Sequence, residues 1–140
     1  MTNAAVLHAT SVAVDGKGLL IMGPSGSGKS SLALQMIGLG AVLIADDQTE
    51  TYLHDGRPHL RCPAAIRGMI EARQVGLMSA PTVATAPLHL VVDLAQSEDR
   101  RLPERHDMMI LGHRIGLVFG TKHAHFPMAL MLQLRHGRHA

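Results

Sequence analysis

The stretch Gly23-Pro24-Ser25-Gly26-Ser27-Gly28-Lys29-Ser30 constrains the fold most. It fits G-x-x-x-x-G-K-S, the phosphate-binding loop, which works only between a buried strand and the start of a helix. Both flanks comply. Leu19-Leu20-Ile21-Met22 is a short apolar run and predicts a buried strand. Ser31-Leu32-Ala33-Leu34-Gln35-Met36-Ile37 predicts a helix, stopped by Gly38 and Gly40. Gly23, Gly26 and Gly28 allow backbone N–H groups to turn inward, and the helix N-terminus adds partial positive charge. Lys29 then reaches the β- and γ-phosphates, and the Ser30 hydroxyl is placed to ligate Mg²⁺. Pro24, Ser25 and Ser27 complete the loop and Ser31 opens the helix, so Gly23 to Ser31 are the candidate nucleotide-binding residues. The motif implies nucleotide or polyphosphate binding and leaves open what is done with the phosphate.

A chain of 140 residues with 46% hydrophobic content predicts a single α/β domain over residues 1–140. Cys62 is the only cysteine, which rules out an internal disulfide and predicts a reduced, cytoplasmic setting. Met1 to Ala5 lacks the charged and apolar regions of a signal peptide, and no apolar run reaches membrane-span length. The net charge of +2 hides an asymmetry: residues 1–99 hold six Lys/Arg against nine Asp/Glu, residues 100–140 seven against two. That basic part suits an acidic partner, the phosphates, or plain solvated surface. Tyr52, Phe119 and Phe126 are the only aromatic residues, too few for a base-stacking platform, which argues against nucleic acid.

Along the chain, Thr10 to Val14 reads as a strand, Asp15-Gly16 as a hairpin turn and Leu19 to Met22 as the returning strand. That register puts His8 opposite Gly23, at the mouth of the phosphate loop. A histidine in the site and a strand-end histidine satisfying a backbone group fit this equally. Ala41 to Ala45 predicts a buried parallel strand ending in Asp46-Asp47. Asp55-Gly56 predicts a hairpin pairing Thr51–Leu53 with His59–Arg61, and Pro63 then ends a strand or starts a helix. In Ile70-Glu71-Ala72-Arg73-Gln74-Val75-Gly76, the two charges would share one face of a strand. Leu88 to Asp93 predicts another buried strand ending in an acid, Gln96 to Asp107 a polar surface segment, and Met109 to Phe119 one or two short strands. Phe126 to Leu134 predicts a closing helix favoured by Pro127, with Met128, Met131 and Leu132 assigned to the core.

Two acidic sites compete for the metal and the proton. Asp93 has the pattern of a Walker B acid. Asp46-Asp47 offers two carboxylates, one to face the metal and one to accept a proton. Spacing does not decide between them. Six of the ten histidines lie in residues 106–139, including His123-x-His125, but with no cysteine and no four-ligand pattern they do not define a metal site.

Together, His8-Ala9-Thr10, the phosphate loop, Ala45-Asp46-Asp47 and Ile70 to Gly76 resemble HPr kinase/phosphorylase in order and approximate spacing, over roughly residues 5–80. The last stretch is similar to that family's L-E-[IV]-R-G-L-G signature. The chain resembles the short form made of the C-terminal catalytic domain. The resemblance implies a compact P-loop α/β kinase domain akin to phosphoenolpyruvate carboxykinase. It implies ATP-dependent phosphorylation of a serine on HPr, the phosphocarrier of the sugar phosphotransferase system, with ATP and Mg²⁺ as cofactors. It also implies a homo-oligomer, hexameric in full-length members. His8 then matches an active-site histidine, Lys29 the phosphate lysine, and Ser30 and Glu71 the Mg²⁺ ligands. Asp47 matches the proton acceptor with Asp46 its neighbour, Arg73 the signature arginine, and Arg101 a further active-site arginine. Asp93 is left without a catalytic role.

The chain departs from the pattern at three places. Ser31 stands where the family has an acid. Gln74 replaces the signature glycine, which predicts a backbone there that needs no glycine-only conformation. The Pro-x-Arg-Pro-Gly-Arg loop of the reverse, phosphorolytic reaction has no match, which favours the kinase direction. A small-molecule kinase and a catalytically weak nucleotide-sensing module are the competing functions.

Overall fold

The computed structural model describes residues 4–63 and 67–140. The chain runs β1 (Ala4–Leu7), β2 (Ala9–Val14), β3 (Lys17–Met22), α1 (Lys29–Gly38), β4 (Val42–Ala45), β5 (Thr49–His54) and β6 (Arg57–Arg61). It continues with β7 (Met69–Ala72), β8 (Gly76–Ser79), β9 (Thr85–Ser97), β10 (His106–Ile110), β11 (His113–Gly120) and α2 (Phe126–His136). Nine strands form one curled mixed sheet in the order β1-β5-β6-β9-β3-β2-β4, with β11 and β10 branching from β9. Strands β7 and β8 form a separate hairpin. No helix among the described residues is long and apolar enough to cross a membrane.

Alternation along the central strands sends neighbouring side chains to opposite faces. Leu19, Ile21, Leu90 and Val92 face the helices, with Leu32, Ala33 and Met36 of α1 and Leu130, Met131 and Leu134 of α2. Leu20 and Val91 face the other way, with Ile44, Leu60 and Ile110. Strand β9 is long enough to serve three partners: it pairs antiparallel with β6 at Thr85–Pro87, then parallel with both β3 and β11. This double coverage explains the apolar run at its centre.

The hairpin of β2 and β3 forms in the expected register, with Ala9 opposite Met22. The second hairpin forms too, although Thr51 faces Leu60, one residue off the expected pairing. Arg61 ends β6 before Pro63, and residues 64–66 lie outside the described residues. Strand β4 corrects one expectation. It pairs antiparallel with β2, and its parallel contact is the single bridge from Leu43 to Thr82. Leu43, Ile44 and Ala45 are buried as the apolar run requires. Burial on both faces, however, fixes no strand direction. Helix α2 corrects another: Met131 is buried, whereas Met128 and Leu132 are exposed. The helical period puts Phe126, Pro127, Leu130, Met131 and Leu134 on one face and leaves 128 and 132 opposite.

Strand β7 stops at Ala72, so Arg73 lies in the turn and not on a strand face with Glu71. Gln74 has φ +67°, the left-handed region that glycine favours but that other residues also adopt, as Asp15, Asp47, Asp55 and Leu111 do here. The turn closes with the Val75 N–H donating to Ala72 O at 2.9 Å, and that closure imposes the φ. A non-glycine residue in this region costs on the order of 1 kcal/mol. Glycine recovers that cost but adds unfolded-state entropy. Gln74→Gly is therefore expected to stabilise the protein by up to about 1 kcal/mol. A lower midpoint in chemical denaturation would mean that the Gln74 side chain makes contacts worth more than its backbone strain.

Candidate functional site

The loop between β3 and α1 takes its shape from glycines in conformations that side chains resist. Gly23, Gly26 and Gly28 have φ of +151°, +82° and +101°. At Gly23 a Cβ would also stand 2.5 Å from the Ser27 hydroxyl oxygen, so glycine alone fits there. That Ser27 oxygen is buried and has no hydrogen-bond partner among the described residues. No side chain caps the start of α1, and its first turn carries no acid. Its N–H groups therefore stay available to an anion.

Lys29 is buried to 7% exposure, and its Nζ donates to Gly23 O at 2.8 Å and Pro24 O at 3.1 Å. The ammonium thus sits inside the curl of the loop. Beside it, β4 delivers Asp46 to the first residues of α1. Asp46 Oδ1 accepts from Ser30 Oγ at 2.6 Å and from Thr10 Oγ1 at 3.0 Å, and Oδ2 accepts from the Glu71 N–H at 3.1 Å. One carboxylate thereby ties together β2, α1, β4 and β7. Asp47 is turned differently. Its φ of +69° is one that aspartate tolerates, and Gln48 N donates to Asp46 O at 2.8 Å to close the turn. This aims Asp47 Oδ1 at His8 Nε2, 2.7 Å away, with the Asp47 side chain 69% exposed.

These groups surround a cleft of about 520 Å³ lined by His8, Thr10, Lys29, Ser30, Asp47, Glu71 and Arg73, among others. Ser25, Gly26, Gly28 and Ser31 line it from the loop side. Asp46 stands behind the wall, holding Ser30 and Thr10. Gly23, Pro24 and Ser27 shape the loop without lining the cleft. Arg101 is not brought here: it lines a separate groove with Phe119, His123 and Leu132. Asp93 does not end its strand as the apolar run predicts: β9 continues to Ser97, and Asp93 lies within it opposite Met22 of the parallel β3, its carboxylate occupied locally by Ala95 N at 2.9 Å and Gln96 Nε2 at 3.0 Å. It does not line the cleft.

Thr10 is the residue that sequence reasoning left without a role. Its hydroxyl donates to Asp46 and accepts from the Asp47 N–H at 3.3 Å, so it sets the spacing of both acids. The signal was its place in the stretch His8-Ala9-Thr10, two residues past His8 at the start of β2. Leu34, Ala72 and Val75 also line the cleft unforeseen.

The fold and site define a class: a small α/β domain in which a glycine loop, a buried lysine and one of two adjacent aspartates line a cleft that the other aspartate braces. The family model "HPr Serine kinase C-terminal domain" matches residues 1–117, and the chain belongs to this family. It is similar to the HPr kinase/phosphorylase of Aromatoleum aromaticum, 40% identical over 114 residues, 72% of this chain and 34% of the relative. It is also similar to that of Chromobacterium violaceum, 35% identical over 105 residues, 69% of this chain and 33% of the relative. These relatives are named as phosphotransferase enzymes, and the chain spans about a third of their length. The solved structure of the Hpr(Ser) kinase/phosphatase from Coxiella burnetii shares the fold, with TM-score 0.78 and 22% identity, covering 94% of this chain and 88% of that one.

Proposed function

We propose that this chain transfers the γ-phosphoryl group of ATP to a serine of an HPr-type phosphocarrier. The observation that carries this reading is the separation of duties between two adjacent acids. Asp46 is spent on holding Ser30 and Thr10, while the Asp47 carboxylate faces the cleft with His8 as its one side-chain partner among the described residues. In this reading the loop amides and Lys29 hold the β- and γ-phosphates. The serine Oγ attacks the γ-phosphorus, the bond to the β,γ-bridging oxygen breaks, and ADP leaves. Asp47 takes the serine proton, and the bond to His8 keeps its carboxylate turned toward the acceptor. Arg73 offsets charge on the transferring oxygens. Positioning and electrostatics supply most of the acceleration in such transfers.

The oxygen donors suit a hard divalent ion. Among the described residues no three carboxylate or imidazole groups cluster as a closed metal cage. Magnesium favours few protein ligands, completing its shell with water and phosphate oxygens. Ser30 and Glu71 would hold it, with Asp46 orienting Ser30 from behind, and bound there it would neutralise phosphate charge. Assembly into a homo-oligomer belongs to the same proposal.

The test is incubation with Mg-ATP and an HPr-type phosphocarrier, followed by mass spectrometry. A single phosphoserine on the carrier is expected. Phosphate appearing on purified metabolites and not on the carrier would make this a small-molecule kinase. Tight ATP binding with no turnover on either would make it a sensing module.

A further inference from the structure

Resting on the donor-site reading above, we infer that the seam between α1 and the β7–β8 hairpin takes the base of the donor nucleotide, by area and without distinguishing one purine from another. The cleft lining falls into two groups. His8, Thr10 and Asp47 are hydrogen-bonded around the end of β2. Leu34 of α1, Ala72 of β7 and Val75 of the turn after it line the cleft on the side where α1 packs against β7. Leu34 stands four residues past Ser30, on the same side of the helix, so a ligand leaving the loop along that side meets it next. In-line transfer puts the attacking hydroxyl and the departing diphosphate on opposite sides of the phosphorus. With the acceptor beside Asp47, the nucleoside extends away from His8 and toward this seam.

The seam has an apolar surface that the fold leaves open. Val75 is 75% exposed although it lines the cleft beside Leu34 and Ala72, on the side away from the hydroxyls and charges of the loop. A planar base laid against it and Leu34 removes that surface from water. Base identity is read by buried donors and acceptors held in place. Leu34, Ala72 and Val75 have none in their side chains. Glu71 and Arg73 are exposed, so neither holds a buried donor or acceptor for reading a base.

Isothermal titration of the whole chain with the magnesium complexes of ATP, GTP and inorganic tripolyphosphate tests this. ATP and GTP should bind within about threefold of each other, and tripolyphosphate about tenfold more weakly for want of the base. Val75→Ser, a change on an exposed side chain, should weaken both nucleotides about fivefold and leave tripolyphosphate unchanged. Tripolyphosphate binding as tightly as ATP would overturn the base seam while the donor site stood. ATP binding more than about thirtyfold tighter than GTP would mean hydrogen-bond readout and would overturn the indifference. Binding of none of the three would remove the donor-site reading and this inference together.

Discussion

Lys29→Ala is expected to abolish phosphoryl transfer, lowering the rate by about 10³-fold or more. Lys29 is the loop's only cation and one of three lysines in the chain. Its ammonium already sits within the loop, held by the Gly23 and Pro24 carbonyls, so reaching a phosphate requires exchange of acceptors and no movement of backbone. Removing it leaves those carbonyls without their donor but also releases a buried charge, and the two effects offset each other. The variant should keep its circular dichroism spectrum while losing nucleotide affinity and turnover. Turnover equal to the parent protein's would remove the phosphate-loop mechanism altogether.

Asp47→Asn should lower the transfer rate by about 10²–10⁴-fold with little change in ATP affinity. Asparagine keeps the size of the side chain and accepts a left-handed backbone readily, so the φ of +69° adds no folding penalty. What it loses is basicity toward a serine hydroxyl, while Ser30 and Glu71 remain for the metal. Asp46→Asn should act differently. That carboxylate accepts from two hydroxyls and a backbone N–H, and an amide nitrogen cannot accept in their place. Its effect should fall on metal and phosphate binding. Asp93→Asn should change the rate little, because Asp93 bonds only to Ala95 and Gln96 among the described residues. Were Asp93→Asn the most damaging of the three in a steady-state assay, the acid beside β3 would be the metal ligand and the roles of Asp46 and Asp47 would need reassignment.

The sequence by itself determined the parts of this protein that depend on local chemistry. The glycine loop between an apolar run and a helix follows from the residues that permit positive φ and those that do not. The β2–β3 hairpin, and with it the place of His8 just ahead of β2 at the cleft, follows from a two-residue turn and a period of two. The contest between Asp46-Asp47 and Asp93 could not be settled that way. Both are acids at the ends of apolar runs, and local pattern carries no record of which strand lies beside which. Tertiary structure sets the two apart in place, by pairing β4 with β2 and packing β7 against α1. Asp46 then meets Ser30, Thr10 and the Glu71 N–H, whereas Asp93 turns to its own chain. The same limit explains the antiparallel β4, since a run buried on both faces reads alike in either direction. It explains Arg101, whose place depends on where the chain between β9 and β10 crosses the surface. Gln74 shows the same limit: its identity required no glycine-only backbone, and the closing hydrogen bond of the hairpin turned it left-handed. Contacts between residues far apart in the chain are made by the sheet as a whole, and only their sum fixes where each acid, arginine and apolar side chain comes to rest.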